Sequence, residues 1–141
     1  MKYKSMLIDG VARNSTGPYI VTICGPVKFL SEMFRVYHII TELGMMAFIP
    51  DIDPDNFPVE DEPYKPEKQK LQNAKIEFGD AVLLINVDGY LDETMYHQWK
   101  LGMKYKKDII WHHMILGDKE QQKHDIERTR ELLAKFEKEA K

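Results

Sequence analysis

The chain has 141 residues, of which 43% are hydrophobic, 11% aromatic and 30% charged. This length is typical of one domain with a single hydrophobic core, and the composition is too apolar for a disordered chain and too polar for a membrane bundle. Twenty Lys and Arg residues against 23 Asp and Glu residues give a net charge of −3. Such a balance disfavours a polymeric nucleic acid as partner, although it does not exclude a single nucleotide.

The sequence carries no signal for export or for a membrane. Its one cysteine, Cys24, cannot form an internal disulfide, and neither a signal sequence nor an apolar run of ~18 residues is present. We therefore expect a reducing, cytoplasmic location. No spacing of His, Cys and carboxylate residues matches a zinc site, so neither a metal nor a cofactor is predicted.

The first half of the chain alternates between strand and helix patterns. Residues 1–17 end in a cluster of turn formers and are predicted to be an N-terminal arm, followed by a single domain over 18–141. Residues 19–24 form a β-branched run that predicts a buried strand. Apolar residues recur at helical spacing from Lys28 to Leu43, and residues 45–49 predict a second short strand.

Residues 50–66 hold five of the seven prolines and six acids. Neither a helix nor a central strand tolerates that density of proline. Two interpretations stay open for this segment. It is either a solvated connection, or a lid or binding loop, which is the more usual role of a long loop in a compact domain.

The second half continues the alternation. A helix is predicted from Pro66 to Gly79, a central strand over 80–87, a helix over 91–106, a strand over 108–111 and a charged helix from Asp118 onward. The apolar set predicted for the first of these helices is Leu71, Ala74, Ile76 and Phe78.

Alternating strands and helices predict an α/β fold, a flavodoxin-like or Rossmann-like three-layer sandwich with a mainly parallel sheet. Ligands of such folds bind beyond the carboxyl ends of the strands, where the strand order reverses. Three loops therefore matter: Gly25–Lys28 after the first strand, the proline-rich loop, and Asp88–Thr94 after the central strand.

Two of these loops carry residues with chemistry. Gly25–Lys28 joins a strand to a helix N-terminus, which either binds an anion or is a plain tight turn. Asp92 and Glu93 either cap the next helix or contact a ligand. Gln98 falls on the helix face that turns toward the sheet, where a polar side chain needs a partner or a function.

The segments Val21–Phe29 and Lys75–Tyr90, with the helix after them, resemble the nucleoside 2-deoxyribosyltransferase superfamily, which includes deoxynucleotide N-hydrolases and nucleotide N-glycosidases. The resemblance covers residues 19–111, and its most specific part is the strand ending in Asn-Val-Asp-Gly-Tyr. It implies cleavage of the bond between a nucleobase and its sugar. A glutamate attacks the anomeric carbon, and another base or water resolves the glycosyl-enzyme.

The resemblance also assigns roles to residues. Contacts to the phosphate or 5′-hydroxyl map to Gly25, Pro26 and Lys28, with Thr94 at the next helix start, and Asp92 orients the sugar or base. Further substrate contacts implied by the resemblance fall at Cys24, Phe29, Asp51, Asp80, Asn86, Gly89, Tyr90 and Glu93. The implied partners are a nucleoside or nucleoside monophosphate and a second copy of the chain, in a homodimer or higher homo-oligomer.

The nucleophile position of the family falls at Gln98, nine residues after Gly89, and an amide is not a useful nucleophile. Three explanations stay open. Glutamate has been replaced by its amide to trap a substrate, or the chain is a catalytically inactive nucleotide-binding or sensing module, or Asp92 or Glu93 supplies the reactive carboxylate. The Gly25–Lys28 turn also differs from the pattern of the family, in which Ser and Arg are more common at this turn.

Overall fold

The structure, a computed structural model, describes residues 18–51 and 66–140. A four-stranded, all-parallel sheet carries helices on both faces, which confirms the predicted α/β three-layer architecture. The elements in chain order are β1 (Ile20–Cys24), α1 (Leu30–Glu42), β2 (Met46–Phe48), α2 (Pro66–Phe78), β3 (Ala81–Leu84), α3 (Glu93–Lys104), β4 (Asp108–Trp111), α4 (His112–Ile115) and α5 (Lys119–Glu139). The predicted arm over 1–17 and residues 52–65 of the proline-rich loop lie outside the described residues.

The strands lie in the order β2-β1-β3-β4. The chain passes from β1 outward to β2 and then returns across β1 to β3, so the strand order reverses between β1 and β3. In open α/β sheets the crevice at this reversal is the usual ligand site. The loops that follow β1 and β3 therefore flank the expected position of a ligand.

Two apolar clusters cover the two faces of the sheet, because successive side chains of a strand point to opposite sides. On one face Val21 and Leu83 pack against α1 through Met33, Val36 and Ile40. The cluster on the other face joins the sheet to α2, α3 and α5 and contains Cys24, Ile76, Val82, Leu84, Met95, Tyr96 and Phe136. Among the described helices, none is long and apolar enough to cross a membrane.

Several element boundaries differ from the predicted ones. A 3₁₀ turn over Val27–Phe29 precedes α1, so this helix begins at Leu30 instead of Lys28. The central strand ends at Leu84, because residues 87–89 form a second 3₁₀ turn in which Asp88 has a φ of 55°. The short helix α4 was not predicted, whereas β4 has its predicted bounds.

The apolar set predicted for α2 is wrong in part. Leu71 and Phe78 are 55% and 70% exposed, while Gln72 is buried beside Ile76. The Nε2 group of Gln72 donates a hydrogen bond to the Ile23 carbonyl at 3.1 Å and another to Cys24 Sγ at 3.4 Å. These two bonds satisfy the N–H groups of the Gln72 side-chain amide, so Gln72 can be buried. The helix face that contains Gln72 and Ile76 therefore packs against the sheet.

Candidate functional site

A cavity of about 550 Å³ lies between α2 and α3, within the usual size range for small-molecule sites. Three residues predicted for the substrate site, Glu93, Thr94 and Gln98, lie together on its wall. The described lining residues are Gln69, Asn73, Glu93, Thr94, His97, Gln98 and Leu101. Six of these seven side chains are polar, so the cavity suits a ligand that forms several hydrogen bonds.

Gln98 is the most buried of the polar groups on this wall. Gln98 is only 6% exposed, and its Oε1 atom has no hydrogen-bond partner among the described residues. The described chain holds five buried polar atoms of this kind, on Gln72, Asn86, Tyr96, Gln98 and His112. Only Gln98 among them lines the cavity. An unpaired buried carbonyl of this kind costs ~1–3 kcal/mol, so Gln98 is held in the wall of the cavity at some expense of stability.

Asp92 and Glu93 are adjacent in sequence but differ in what they contact. Asp92 is the N-cap of α3, where its Oδ1 accepts from the Met95 amide at 2.8 Å and its Oδ2 from the Tyr90 hydroxyl at 3.2 Å. Glu93 lines the cavity, and its carboxylate lies 3.7 Å from His97 Nε2 on the next turn. Of the two carboxylates, Glu93 is therefore the one that a ligand in the cavity would meet.

Lys28, Phe29, Tyr90 and Asp92 form a second group of predicted site residues, at the reversal of strand order. The Lys28 ammonium lies 3.8 Å from the centre of the Tyr90 ring, a cation–π contact. The Phe29 and Tyr90 rings meet edge to face at 5.3 Å, and the Tyr90 hydroxyl continues to Asp92. The described lining of the cavity does not include these four residues.

Gly25 and Pro26 shape the turn after β1. A Cβ atom at Gly25 would lie 3.0 Å from Ile85 Cβ and 3.2 Å from Met33 Cε, so close packing requires glycine at this position. The Pro26 carbonyl accepts from the Phe29 amide at 3.0 Å and closes the 3₁₀ turn. Both features are those of a tight turn, and neither residue belongs to the described lining of the cavity.

Neither Cys24 nor Asp80 belongs to the described lining of the cavity. Cys24 is fully buried, and burial raises the pKa of its thiol to about 12 despite the hydrogen bond from Gln72. The Asp80 carboxylate accepts from the amide of Ile20, the first residue of β1, at 2.8 Å. Asp80 thus lies at the amino edge of the sheet, opposite the edge where the loops after β1 and β3 meet.

Asn86 and Gly89 hold the turn after β3 against the last two helices. Asn86 Nδ2 lies 2.9 Å from both His113 Nδ1 and Thr129 Oγ1. Burial lowers the pKa of His113, which keeps its ring neutral and able to accept this bond. Gly89 has a φ of 77°, and a Cβ atom there would lie 2.6 Å from Arg128 Cβ. The described contacts of Asn86 Nδ2 and Gly89 are therefore packing contacts within the chain.

Asp51, the remaining predicted contact, is more than half exposed, and its carboxylate lies 3.6 Å from Lys68 Nζ near the start of α2. It is absent from the described cavity wall. No group of three His, Cys, Asp or Glu side chains within residues 18–51 and 66–140 is arranged to hold a metal ion.

The sequence analysis missed Gln69, Asn73 and His97 as lining residues. Gln69 and Asn73 are four residues apart on α2, and Glu93 and His97 have the same spacing on α3, so each pair shares one helix face. This four-residue spacing of polar side chains is the feature of the sequence that could have identified these lining residues. It was missed because polar residues at helical spacing ordinarily mark a solvated face.

A partly buried contact between a histidine and a glutamate lies on the opposite face of the sheet. His112 Nε2 and Glu32 Oε2 are 2.9 Å apart, and Arg35 contacts the same carboxylate. Burial by itself raises the pKa of Glu32, but the hydrogen bonds and charges of His112 and Arg35 outweigh it and leave this pKa lowered. The pair joins α1 to α4, so its role is in packing.

Comparison of the sequence with models of known protein families gives no match. Comparison with curated protein sequences gives no match either. The function is therefore inferred from the geometry of the cavity together with the residues that carry the resemblance.

Proposed function

We propose that this domain binds a nucleoside or nucleotide in the cavity between α2 and α3, in a site of the N-glycosidase type whose nucleophile position holds an amide. The observation that carries the proposal is Gln98, a buried carboxamide on the cavity wall whose carbonyl oxygen has no partner in the described chain. Its position matches the family nucleophile in the sequence resemblance, and the polar lining suits a sugar or a base.

The chemistry of an amide favours binding over turnover. A carboxylate stabilises an oxocarbenium-like transition state by its charge and then bonds to the anomeric carbon. A carboxamide is neutral and poorly nucleophilic, and loss of a covalent nucleophile commonly lowers turnover ~10³- to 10⁶-fold. The chain with Gln98 is therefore proposed to retain its ligand without cleaving it at an appreciable rate.

The test compares binding and base release in the same samples. Calorimetry measures binding of deoxynucleosides, ribonucleosides and their monophosphates, and chromatography measures free base. We expect the natural chain to bind at least one of them without releasing base, and Gln98→Glu to release it. A matched control, Gln69→Glu, adds a carboxylate to the α2 wall of the same cavity and is expected to leave base release at the background rate. The absence of any binding would contradict the proposal.

A second candidate is hydrolysis by the natural chain with Glu93 as the reactive carboxylate. Its support is that Glu93 lines the same cavity as Gln98, whereas both Asp92 oxygens already accept hydrogen bonds. If the natural chain releases base, this candidate predicts that Glu93→Gln abolishes release and that Gln98→Glu does not increase it. Full activity in Glu93→Gln would exclude it.

The location and assembly belong to the same proposal. The single, buried cysteine supports a reducing, cytoplasmic location. A homodimer or higher homo-oligomer is supported by large apolar side chains that are exposed on α1, where Phe34 and Tyr37 are 51% and 40% exposed. Light scattering of the purified chain measures its mass in solution, and a monomer at all concentrations would exclude this assembly.

A further inference from the structure

The edge of the sheet at β2 carries an exposed apolar surface. Met46 on β2 is 45% exposed, and Leu71 and Phe78 on α2 are 55% and 70% exposed. The Phe48 and Phe78 ring centres lie 6.1 Å apart, so the apolar side chains of the strand and the helix meet. Side chains two residues apart on a strand share a face, which places Met46 on the same side as Phe48. These four side chains form what we call the β2-edge surface.

The face of α2 that contributes to this surface turns toward β2. Leu71, Lys75 and Phe78 follow one another at helical spacing and therefore share one helix face. From the middle of this face, Lys75 Nζ donates a hydrogen bond to the Ile49 carbonyl, directly after β2, at 2.8 Å. The contact fixes α2 beside the edge strand, so Leu71 and Phe78 flank whatever lies next to β2.

The backbone of β2 is paired on one side only within the described sheet. β2 is the first strand in the order β2-β1-β3-β4, and its Met46 amide donates to the Tyr19 carbonyl at 3.0 Å. Because inward and outward groups alternate along a strand, the N–H and C=O groups of Ala47 point away from β1. No charged residue occurs over 44–49, although charges commonly protect a sheet edge. This edge is therefore suited to accept a further strand.

The edge at β4 is different. β4 begins with Asp108, which follows Lys106 and Lys107 in the sequence. Ile109 and Trp111 belong to an apolar cluster that includes side chains of α5. Charged residues and a packed helix thus protect β4, so β2 is the edge on which we expect a strand to add.

The sequence ahead of the described residues supplies a strand of the right kind. Residues 1–17 contain one run of three apolar residues, Met-Leu-Ile over 6–8, and β2 is also three residues long. Alternation along such a run directs apolar side chains to both sides of the sheet. The residues of β2 behave in the same way, because Ala47 packs toward α1 and Phe48 toward α2.

The connection to β1 is long enough. The chain enters β1 at Ile20, and β1 is the neighbour of β2. A strand beyond β2 lies two strand spacings, about 10 Å, from β1. Residues 9–18, ten residues in all, reach up to about 35 Å when extended. Because a short tether holds a segment at an effective concentration of about 1 mM, this segment competes well against a second copy of the chain.

We propose that residues 6–8 add to the free edge of β2 as a fifth strand and cover the β2-edge surface. The added strand runs antiparallel to β2, because the connection then passes from its end to the amino end of β1. Its backbone pairs with the outward N–H and C=O groups of Ala47, and its apolar side chains contact Met46 and Phe78.

Amide hydrogen exchange of the full chain, followed for each residue by NMR, tests the pairing. In Leu7→Asp the Ala47 amide should exchange at least roughly tenfold faster than in the unsubstituted chain, because the added charge removes the strand from the edge. The Met46 amide, which is bonded to β1, should exchange slowly in both proteins. Val11→Asp is the matched control, since it adds the same charge outside the apolar run, and it should leave Ala47 unchanged.

Three outcomes of this experiment would overturn the proposal. Ala47 could exchange in the unsubstituted chain as fast as an unpaired amide, which would mean that the edge is open. Its exchange could be the same in Leu7→Asp, which would mean that residues 6–8 do not cover it. Protection of Ala47 could instead rise with protein concentration, which would assign the edge to a second copy of the chain.

Trypsin cleavage after Lys4 gives a second readout without any substitution in residues 1–17. Met46→Asp places a charge on the β2-edge surface and should speed this cleavage roughly tenfold by releasing the segment. Met103→Asp is the matched control, because Met103 is 53% exposed but lies on α3. Thermal unfolding shows whether both variants are folded. Equal cleavage rates in the two folded variants would overturn the proposal.

Discussion

The two ends of the segment between β3 and α3 differ in how their polar residues are used. At its start, Asn86 donates hydrogen bonds to the last two helices, and Gly89 allows α5 to pack closely. Beyond its end, Glu93, Thr94 and Gln98 line a cavity, and the Gln98 carbonyl has no partner in the described chain. Polar side chains in one continuous stretch therefore serve stability at one end and, in our proposal, a ligand at the other.

The largest expected effect is at the start of this segment. Gly89→Ala adds a Cβ atom 2.6 Å from Arg128 Cβ at a φ of 77°, and we expect it to lower the free energy of unfolding by about 3 kcal/mol. Gly44→Ala is the matched control, since its φ is 84° but no atom lies within 4 Å of the added Cβ. That control should lose only about 1 kcal/mol. Equal losses in urea unfolding would show that packing against α5 does not distinguish Gly89.

Asn86, at the start of the segment, and Asn73, on the α2 wall of the cavity, should respond differently to alanine. Asn86→Ala removes two buried hydrogen bonds and is expected to cost about 2 kcal/mol of the free energy of unfolding. Asn73→Ala, on the exposed wall of the cavity, should change it by less than about 0.5 kcal/mol. Urea denaturation measures both, and similar values would contradict the distinction between polar residues used in packing and polar residues on the cavity wall.

Acid should weaken the packing end as well. The pKa of His113 is lowered by burial, so the unfolded chain binds a proton more readily than the folded one as the pH falls. Stability is therefore full above about pH 6.5 and declines below it. Glu32, whose pKa is also lowered, adds a further loss only as the pH falls below about 4.5.

Thermal unfolding between pH 8 and pH 5, two values chosen to lie about 1.5 units either side of the ordinary histidine pKa, isolates the His113 effect. We expect a loss of about 1 kcal/mol or less over this range, reduced in His113→Gln relative to the natural chain. The same pH dependence in both proteins would place the effect on another group.

The smallest effect is expected at the cavity end, with the opposite sign. Gln98→Met replaces a buried, unpartnered carbonyl by an apolar group of similar shape, which is neutral or stabilising by up to about 1 kcal/mol. A residue kept for binding at some expense of stability shows this pattern. A loss of more than about 2 kcal/mol on urea unfolding would mean that Gln98 stabilises the fold.

Hydrophobic patterning in the sequence predicted the architecture well. The runs around Val21 and Leu83 predicted buried strands, and the alternation with helices predicted the parallel sheet and its two faces. This success follows from the size of the hydrophobic effect, which depends on apolar area and is visible in composition alone. The predicted apolar set of α2 was wrong in part because the side-chain N–H groups of Gln72 form hydrogen bonds inside the core. The type of a residue alone does not indicate that it will form such bonds.

The site could be predicted only in part. Glu93, Thr94 and Gln98 share a cavity because helical spacing places them along one part of α3. Asp80 and Asn86 were assigned to the substrate by resemblance, but their hydrogen bonds go to Ile20 and to the last two helices. Their partners are distant in sequence, so only the folded chain reveals that the Asp80 carboxylate and the Asn86 Nδ2 group form hydrogen bonds within the chain. Asn86 Oδ1 has no partner among the described residues.

The burial of Cys24 has a practical consequence for experiments on this protein. The chain contains one thiol, which is fully enclosed and stays protonated at ordinary pH, so alkylating reagents should not reach it in the native state. A cysteine introduced in place of His97 would then be the single thiol of the folded chain that such reagents modify. A fluorophore attached there would report on cavity occupancy without any other alteration of the protein.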